Sequence, residues 1–250
     1  MKLLLISDAH SNPLALRAIL TREGGADMLC FAGDLVDYGP DPIGVIDWVK
    51  AHGVRCVMGN HDENLIRVWR EHAYEAVPPE RFGWVHHNCR LLSEEQIAFL
   101  AGLPEHLCFA ADGVAYLMAH RCGEGYRIIE NQYDFDRYWD AHFTLPGCAG
   151  MERRMIFGHT HRQMVVRLEN GLWINPGSAS YRREDDPDKR AQYAVIEDGR
   201  IDLRQVVYDR GPLFAEALRL RPQMAVGEYR VAEFFFGLSE ADGPLRRDLD

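Results

Sequence analysis

The first sixty residues alternate between short apolar runs and longer segments with helical spacing of hydrophobic positions. The apolar runs predict buried strands at 2–7, 28–32 and 54–58. Between them, one helix is predicted from Asn12-Pro13 to Gly24-Gly25 and a second from about Pro42 to Ala51. This strand–helix–strand–helix–strand order predicts right-handed crossovers and a largely parallel sheet.

The pattern changes at residues 63–106, where helical spacing dominates. It covers 63–75 and 93–103 and is interrupted by Pro78-Pro79. Ser93-Glu94-Glu95-Gln96 has the spacing of a capping box at a helix start. We therefore expect a helical insert or cap over about 63–106.

The second half shows strand and turn signals. Strands are predicted at 114–119 and 154–157, and the segment 121–152 between them is irregular with one helix near 135–143. Two hairpins are predicted, 164–168 with 172–175 and 193–197 with 200–208, because Glu169-Asn170-Gly171 and Asp198-Gly199 are turn signals. The C-terminal half is thus expected to be antiparallel, followed beyond Pro212 by one amphipathic helix and a tail. We expect a single domain over 1–250, with a helical tail at about 212–250.

Composition narrows the class of protein. The net charge of −10 disfavours nucleic acid as a partner. No apolar stretch approaches the roughly 18–20 residues of a membrane span. The apolar run at 3–6 is too short for a signal peptide. Six cysteines without a CxxC pair predict reduced thiols, so we expect a cytoplasmic protein.

Residues of the types that bind metal ions follow five predicted strands. In open α/β sheets, ligands bind outside the carboxyl ends of strands, and glycine lets the backbone turn closely there. Each motif alone is weak, but the ordered set is specific: Asp8-x-His10, Gly33-Asp34, Gly59-Asn60-His61, His120 and Gly158-His159-Thr160-His161. Six further histidines have no such partners, and we interpret them as structural: His52, His72, His86, His87, His106 and His142.

The order and spacing of these motifs resemble the calcineurin-like metallophosphoesterase superfamily, over roughly residues 1–180. The segments 35–42 and 175–178 are similar to a compact bacterial and archaeal phosphodiesterase-like branch. The resemblance implies an α/β (α+β) four-layer fold, a β-sandwich of two mixed sheets flanked by helices, with the site at the strand ends.

The same resemblance implies two metal ions. Asp8, His10 and His161 would hold the first ion, Asn60, His120 and His159 would hold the second, and Asp34 would bridge both. His61 would face the substrate. A carboxylate bridge and mixed nitrogen and oxygen ligands suit Mn, with Fe, Ni, Zn or Mg as alternatives. A bridging hydroxide would attack phosphorus in line, while His61 stabilises the developing charge or protonates the leaving oxygen.

Some positions differ from relatives that read GD-x-x-D-R-G and GNHE. Tyr38 stands where the arginine of those enzymes contacts phosphate, Asp62 replaces glutamate, and Arg121 follows His120 where many relatives have glycine. These differences argue against a dedicated protein phosphatase. Arg121 is a candidate for the missing cation. Arg182 is a second candidate phosphate contact, although the acidic residues that follow it fit a solvated loop equally well.

The leading hypothesis is therefore a metal-dependent phosphodiesterase or phosphatase acting on small phosphoesters or nucleotides. A protein phosphatase and a dinucleoside polyphosphate hydrolase are alternatives, and a nuclease is disfavoured by the acidic charge. A catalytically silent scaffold on the same fold is the alternative from another class, and the complete ligand set argues against it. The choice between monoesters and diesters, the native metal and the oligomeric state stay open at this point.

Overall fold

The computed structural model describes residues 1–180, 186 and 188–237. Its strands are β1 (Lys2–Ile6), β2 (Met28–Phe31), β3 (Arg55–Cys56), β4 (His106–Ala111), β5 (Val114–Ala119), β6 (Glu152–Ile156), β7 (Gln163–Leu168), β8 (Gly171–Pro176), β9 (Ala191–Glu197) and β10 (Arg200–Val206). Its α-helices are α1 (Pro13–Glu23), α2 (Pro42–Ala51), α3 (Asn60–Arg70), α4 (Trp84–Leu91), α5 (Glu94–Ala101), α6 (Gln132–His142), α7 (Gly211–Leu220) and α8 (Val226–Phe236). Short 3-10 helices occupy Pro79–Arg81 and Arg221–Gln223.

The first sheet has the strand order β10-β9-β1-β2-β3. Strands β1, β2 and β3 are parallel, with Leu5 opposite Cys30. This confirms the parallel arrangement predicted for the first sixty residues. The third strand is shorter than predicted, because only Arg55–Cys56 pairs with β2. The C-terminal hairpin β9–β10 completes this sheet, with β9 antiparallel to β1.

The second sheet has the order β4-β5-β6-β8-β7 and is mixed. The prediction of an antiparallel C-terminal half is wrong for β6, which runs parallel to both β5 and β8, whereas the two predicted hairpins are antiparallel. The chain leaves β5, crosses over through α6 and returns in the same direction. Strand β4, which the sequence analysis did not predict, pairs antiparallel with β5 at the sheet edge.

The two sheets pack face to face, with helices on both outer surfaces. Leu3 and Leu5 belong to the core between the sheets, whereas Leu4 and Ile6 belong to the core under the helices. This is the two-residue alternation of a strand buried on both faces. On the outside of the second sheet, α6 contributes Phe135 and Trp139. The predicted four-layer sandwich of two mixed sheets flanked by helices is confirmed.

The segment from 60 to 101 is helical, with different bounds from those predicted. Helix α3 begins at Asn60 rather than near 63, so Asn60 and His61 lie in its first turn. Helix α4, which has only eight residues, was not predicted. It packs beside the C-terminal helices, where the Trp84 indole nitrogen donates to the Glu228 carbonyl oxygen at 3.0 Å.

The C-terminal segment contains two helices where one was predicted. The chain turns at Arg221–Gln223, since Pro222 lacks the N–H that would continue α7. Residues beyond 237 of the predicted tail lie outside the described part. Within the described residues, no helix is both long enough and apolar enough to span a membrane.

Candidate metal centre

The motif residues converge at the carboxyl ends of strands from both sheets. Asp8 and His10 follow β1, Asp34 follows β2, and His120 follows β5. Positive φ angles occur at five of the seven predicted ligands: Asp8, His10, Asp34, His159 and His161. Non-glycine residues rarely adopt this conformation, and such backbone strain tends to occur at functional sites. The strained segments bring side chains that are far apart in the sequence to one place.

One group of donor atoms comprises Asp8, His10, Asp34 and His161, whose potential ligand atoms all lie within 4.8 Å of one another. His161 Nε2 lies 3.1 Å from Asp8 Oδ1, and His10 Nε2 lies 3.9 Å from Asp34 Oδ2. All four side chains are buried. This is the grouping that the sequence predicted around the first ion.

A second group comprises Asp34, His120 and His159, with the same 4.8 Å limit. The predicted ligand Asn60 adjoins it, because its Oδ1 lies 2.9 Å from His120 Nε2. Asp34 is therefore common to both groups, as a bridging ligand would be.

The donor atoms of the second group fit a cation. The Ala32 carbonyl can only accept, so His120 Nδ1, at 2.7 Å, carries the proton. His120 Nε2 then faces Asp34 Oδ2 at 3.2 Å as well as Asn60 Oδ1. His120 Nε2, Asp34 Oδ2 and Asn60 Oδ1 all carry lone pairs. They can lie this close together only when a proton or a metal ion lies between them. A proton on His120 is one way to separate these atoms. Burial lowers the pKa of His120, but Asp34, Asp8 and the Ala32 carbonyl together outweigh burial and raise the pKa to about 9.

Two other candidate ligands, His10 and His159, are suited to binding metal as neutral rings. Burial lowers the pKa of His10 to about 3. Burial and the neighbouring His120 lower the pKa of His159 to about 4. Both rings are therefore uncharged near neutral pH and can offer a lone pair. Burial opposes ionisation of Asp34, yet the adjacent histidines hold its pKa well below the usual range.

His61 lies next to both groups and is held by a residue that the sequence analysis did not single out. Its Nδ1 lies 2.8 Å from Asp37 Oδ2, and its backbone N–H donates to Asp34 Oδ1 at 2.9 Å. Burial lowers the pKa of His61, but the hydrogen bond to Asp37 and the charges of the nearby aspartates together outweigh burial and raise the pKa to about 9. The spacing of Asp34 and Asp37 in GD-x-x-D was the available signal. Tyr38 packs beside this pair, with its ring tilted by 52° to that of His61 and the ring centres 4.6 Å apart.

Two further buried residues fix the loops and were also missed. Asp62 accepts backbone hydrogen bonds from Asp34, Leu35, Val36 and Gly59. It thereby ties the ends of β2 and β3 together. Asn88 in α4 accepts from Ser11 Oγ at 2.5 Å and from the Asp37 backbone N–H at 2.9 Å, and it donates to the Gly39 carbonyl at 2.9 Å. No local sequence pattern indicated Asn88, because its partners lie 49 to 77 residues away.

The segment 175–178 supports the last motif. Asn175 Nδ2 donates to the Gly158 carbonyl oxygen at 2.6 Å and to Thr160 Oγ1 at 3.0 Å. Ser178 Oγ donates to the Asp8 carbonyl oxygen at 2.9 Å. These bonds explain why this segment accompanies the ligand motifs in the sequence.

Of the two arginines proposed as substrate contacts, Arg121 lies within the described residues and Arg182 does not. Arg121 is exposed and lies beside the second group, where its Nη2 is 3.8 Å from Glu63 Oε2. It also lines a cleft together with Asn60 and His120. Arg182 lies outside the described residues.

The protein combines a sandwich of two mixed sheets with two Asp and His clusters at the strand ends, and the clusters share Asp34. This combination defines a metal-dependent phosphoester hydrolase. The calcineurin-like phosphoesterase superfamily domain matches residues 1–198, and the chain belongs to this superfamily.

Comparisons with individual proteins agree with this assignment. An uncharacterised protein of Methanocaldococcus jannaschii is 25% identical over 244 residues, which cover 90% of this chain and 95% of that protein. A crystal structure of a metallophosphoesterase from Sphaerobacter thermophilus, also 25% identical, superposes with a TM-score of 0.69 over 93% of this chain and 100% of that one. A symmetrical bis(5'-nucleosyl)-tetraphosphatase of Photorhabdus laumondii is 42% identical over 74 residues, which cover 28% of this chain and 27% of that enzyme.

Proposed function

We propose that this chain is a two-metal phosphodiesterase or phosphatase that hydrolyses small phosphoesters, including nucleotides. The observation that carries the proposal is the sharing of Asp34 by two groups of donor atoms. Asp8, His10, Asp34 and His161 would hold one ion, and Asp34, Asn60, His120 and His159 would hold the other. The mixture of imidazole, carboxylate and amide ligands favours manganese, with iron, nickel, zinc or magnesium as alternatives.

Two divalent ions at such a site supply Lewis-acid chemistry, because they lower the pKa of a water nucleophile and polarise phosphoryl oxygens. The chain supplies positioning. The His61 backbone N–H holds one oxygen of Asp34, and the His159 backbone N–H lies 3.2 to 3.3 Å from the carboxylate oxygens of Asp8. His120 is oriented by its bond to the Ala32 carbonyl oxygen. Such outer contacts fix the direction in which each ligand presents its lone pair.

His61 would act on the phosphoester itself. Asp37 binds its Nδ1, which fixes the orientation of the ring. The other ring nitrogen would stabilise the developing charge or donate a proton to the leaving oxygen. Asp37 would be the positioning residue for this step.

A dinucleoside polyphosphate hydrolase is the second candidate. The observation in its favour is the local identity of 42% over 74 residues with a symmetrical bis(5'-nucleosyl)-tetraphosphatase. Tyr38, in place of the arginine that the resemblance assigns to phosphate binding, argues against a mode of binding identical to that of those enzymes. Diadenosine tetraphosphate is therefore a substrate to test beside simple esters.

The test combines metal analysis with turnover. Protein purified without chelator is expected to hold about two metal ions per chain and to hydrolyse bis-p-nitrophenyl phosphate or p-nitrophenyl phosphate when manganese is added. Asp34→Asn should lower kcat by at least 100-fold and reduce the bound metal. Asp47→Asn, an exposed carboxylate on α2, is the matched control and should match wild type. A folded protein that binds no metal and turns over none of these esters with any divalent ion would overturn the proposal in favour of a scaffold.

A further inference from the structure

Two clefts meet at the candidate metal centre. The first, with a volume of about 740 Å³, lies between the end of β5, the loop that follows it and α6. The second, of about 640 Å³, lies along α3 and reaches the end of α5. Both volumes fall within the roughly 300–1,000 Å³ of small-molecule sites. Asn60, a proposed ligand of the second ion, lines both clefts.

The boundary between the clefts consists of side chains that line both of them: Met58, Asn60, Glu63 and Arg121. The outer part of this boundary is the ion pair of Glu63 and Arg121, whose side chains are 68% and 45% exposed. Exposed pairs of this kind are worth little energy, typically about 0–1 kcal/mol. A ligand seated at Asn60 can therefore extend to both sides of it.

The clefts differ in chemistry. The first has a wall of aromatic rings, in which His106 and His142 stack at 4.1 Å and Tyr138 packs against His142 at 4.4 Å. The second is lined by the apolar side chains of Ile66 and Ala101 and by charged side chains of both signs on α3, where Arg67 pairs with Glu71 at 2.8 Å. The first cleft suits a planar aromatic substituent, and the second suits a substituent with apolar and hydrogen-bonding parts.

We infer that the substrate is a phosphodiester with two organic substituents, one in each cleft, and that it is preferred over monoesters. The inference rests on the proposed function, since it places phosphorus beside Asn60. A monoester fills one cleft only and gives up the binding energy of the other, which an enzyme can use to orient the reacting centre. In-line displacement gives the two clefts different roles, because one of them must hold the leaving group and the other holds the substituent that stays on phosphorus.

The experiment fills each cleft separately. Ala141→Trp on α6 blocks the first cleft, and Ala101→Trp on α5 blocks the second. Asp140→Trp and Ala98→Trp are controls, since both positions are exposed on the same helices and line neither cleft. The kcat/KM is measured with manganese for bis-p-nitrophenyl phosphate and for p-nitrophenyl phosphate. If Ala101→Trp impairs folding, Arg70→Trp, an exposed position in the second cleft, replaces it.

Wild type should cleave the diester with the higher kcat/KM. Blocking the leaving-group cleft should lower kcat/KM at least tenfold for both esters. Blocking the other cleft should lower it at least tenfold for the diester alone and leave the monoester within twofold. The inference is overturned if wild type prefers the monoester, or if no cleft variant affects the diester more than the monoester, while metal-dependent turnover persists. Absence of any turnover by wild type would overturn the proposed function and the inference together.

Discussion

Replacing Asn88 with alanine tests whether helix α4 holds the loops that carry the candidate catalytic residues. The Asn88 side chain is fully buried and makes three hydrogen bonds, to Ser11, Asp37 and Gly39. Alanine would leave the Asp37 N–H and the Gly39 carbonyl oxygen without this partner, whereas the Ser11 hydroxyl can rotate. Each buried group left unsatisfied costs about 1–3 kcal/mol. For these two groups we therefore expect a loss of about 2–6 kcal/mol, a large part of the roughly 5–15 kcal/mol that stabilises a typical protein.

The loss should be visible as a lower melting temperature. In a chain of this size, 1 kcal/mol corresponds to about 2–4 °C, so Asn88→Ala should lower Tm by roughly 4–24 °C. Circular dichroism on chelator-treated protein separates this effect from metal binding. Leu91→Ala is the matched control, because Leu91 lies on the same helix and is 42% exposed. A Tm for Asn88→Ala within 2 °C of that of Leu91→Ala would refute the reasoning.

Two further predictions concern a buried carboxylate and a close backbone approach. The Glu23 side chain is 3% exposed and pairs with Lys2 at 2.8 Å and Arg204 at 2.7 Å. Burial raises its pKa, but these hydrogen bonds outweigh burial and lower it. Glu23→Gln should therefore lower Tm by about 3–10 °C at pH 7, and the difference should shrink as pH falls below the ordinary glutamate value of about 4.3 and through the folded-state pKa. Gly59→Ala should reduce bound metal at least tenfold, since the added Cβ would overlap the backbone nitrogen and carboxylate of Asp34.

Each of these two substitutions has a control in the same chain. Glu80→Gln changes an exposed glutamate and should leave Tm unchanged both at pH 7 and at the acidic pH where the Glu23→Gln difference shrinks. Gly227→Ala adds a methyl group in α8 that meets no atom of the other described segments within 4 Å, so metal content should match wild type. A pH-independent difference for Glu23→Gln would contradict the ion-pair account. Normal metal content in Gly59→Ala would contradict the close approach of the β2 and β3 ends.

The sequence alone predicted the strands of the parallel sheet, both C-terminal hairpins and the set of candidate ligand residues. These features depend on short-range signals: apolar runs set the strands, turn residues such as Asp198-Gly199 set the hairpins, and the ligands follow strand ends directly. The order of the motifs was sufficient to place their side chains at one end of the sandwich. The local patterns of residues 106–111 and 84–91 did not predict the strand and the helix that form there.

Only the tertiary structure decided how the site is supported and shaped. The hydrogen bonds of His61 to Asp37 and of Asn88 to the Asp37 backbone join segments that are distant in the chain. The two clefts beside Asn60 are likewise lined by residues from several elements. The parallel pairing of β6 with β5 and β8 likewise depends on which strands lie next to each other. Such contacts follow from packing among elements that are distant in the chain, and a local pattern of hydrophobic and polar residues does not specify them.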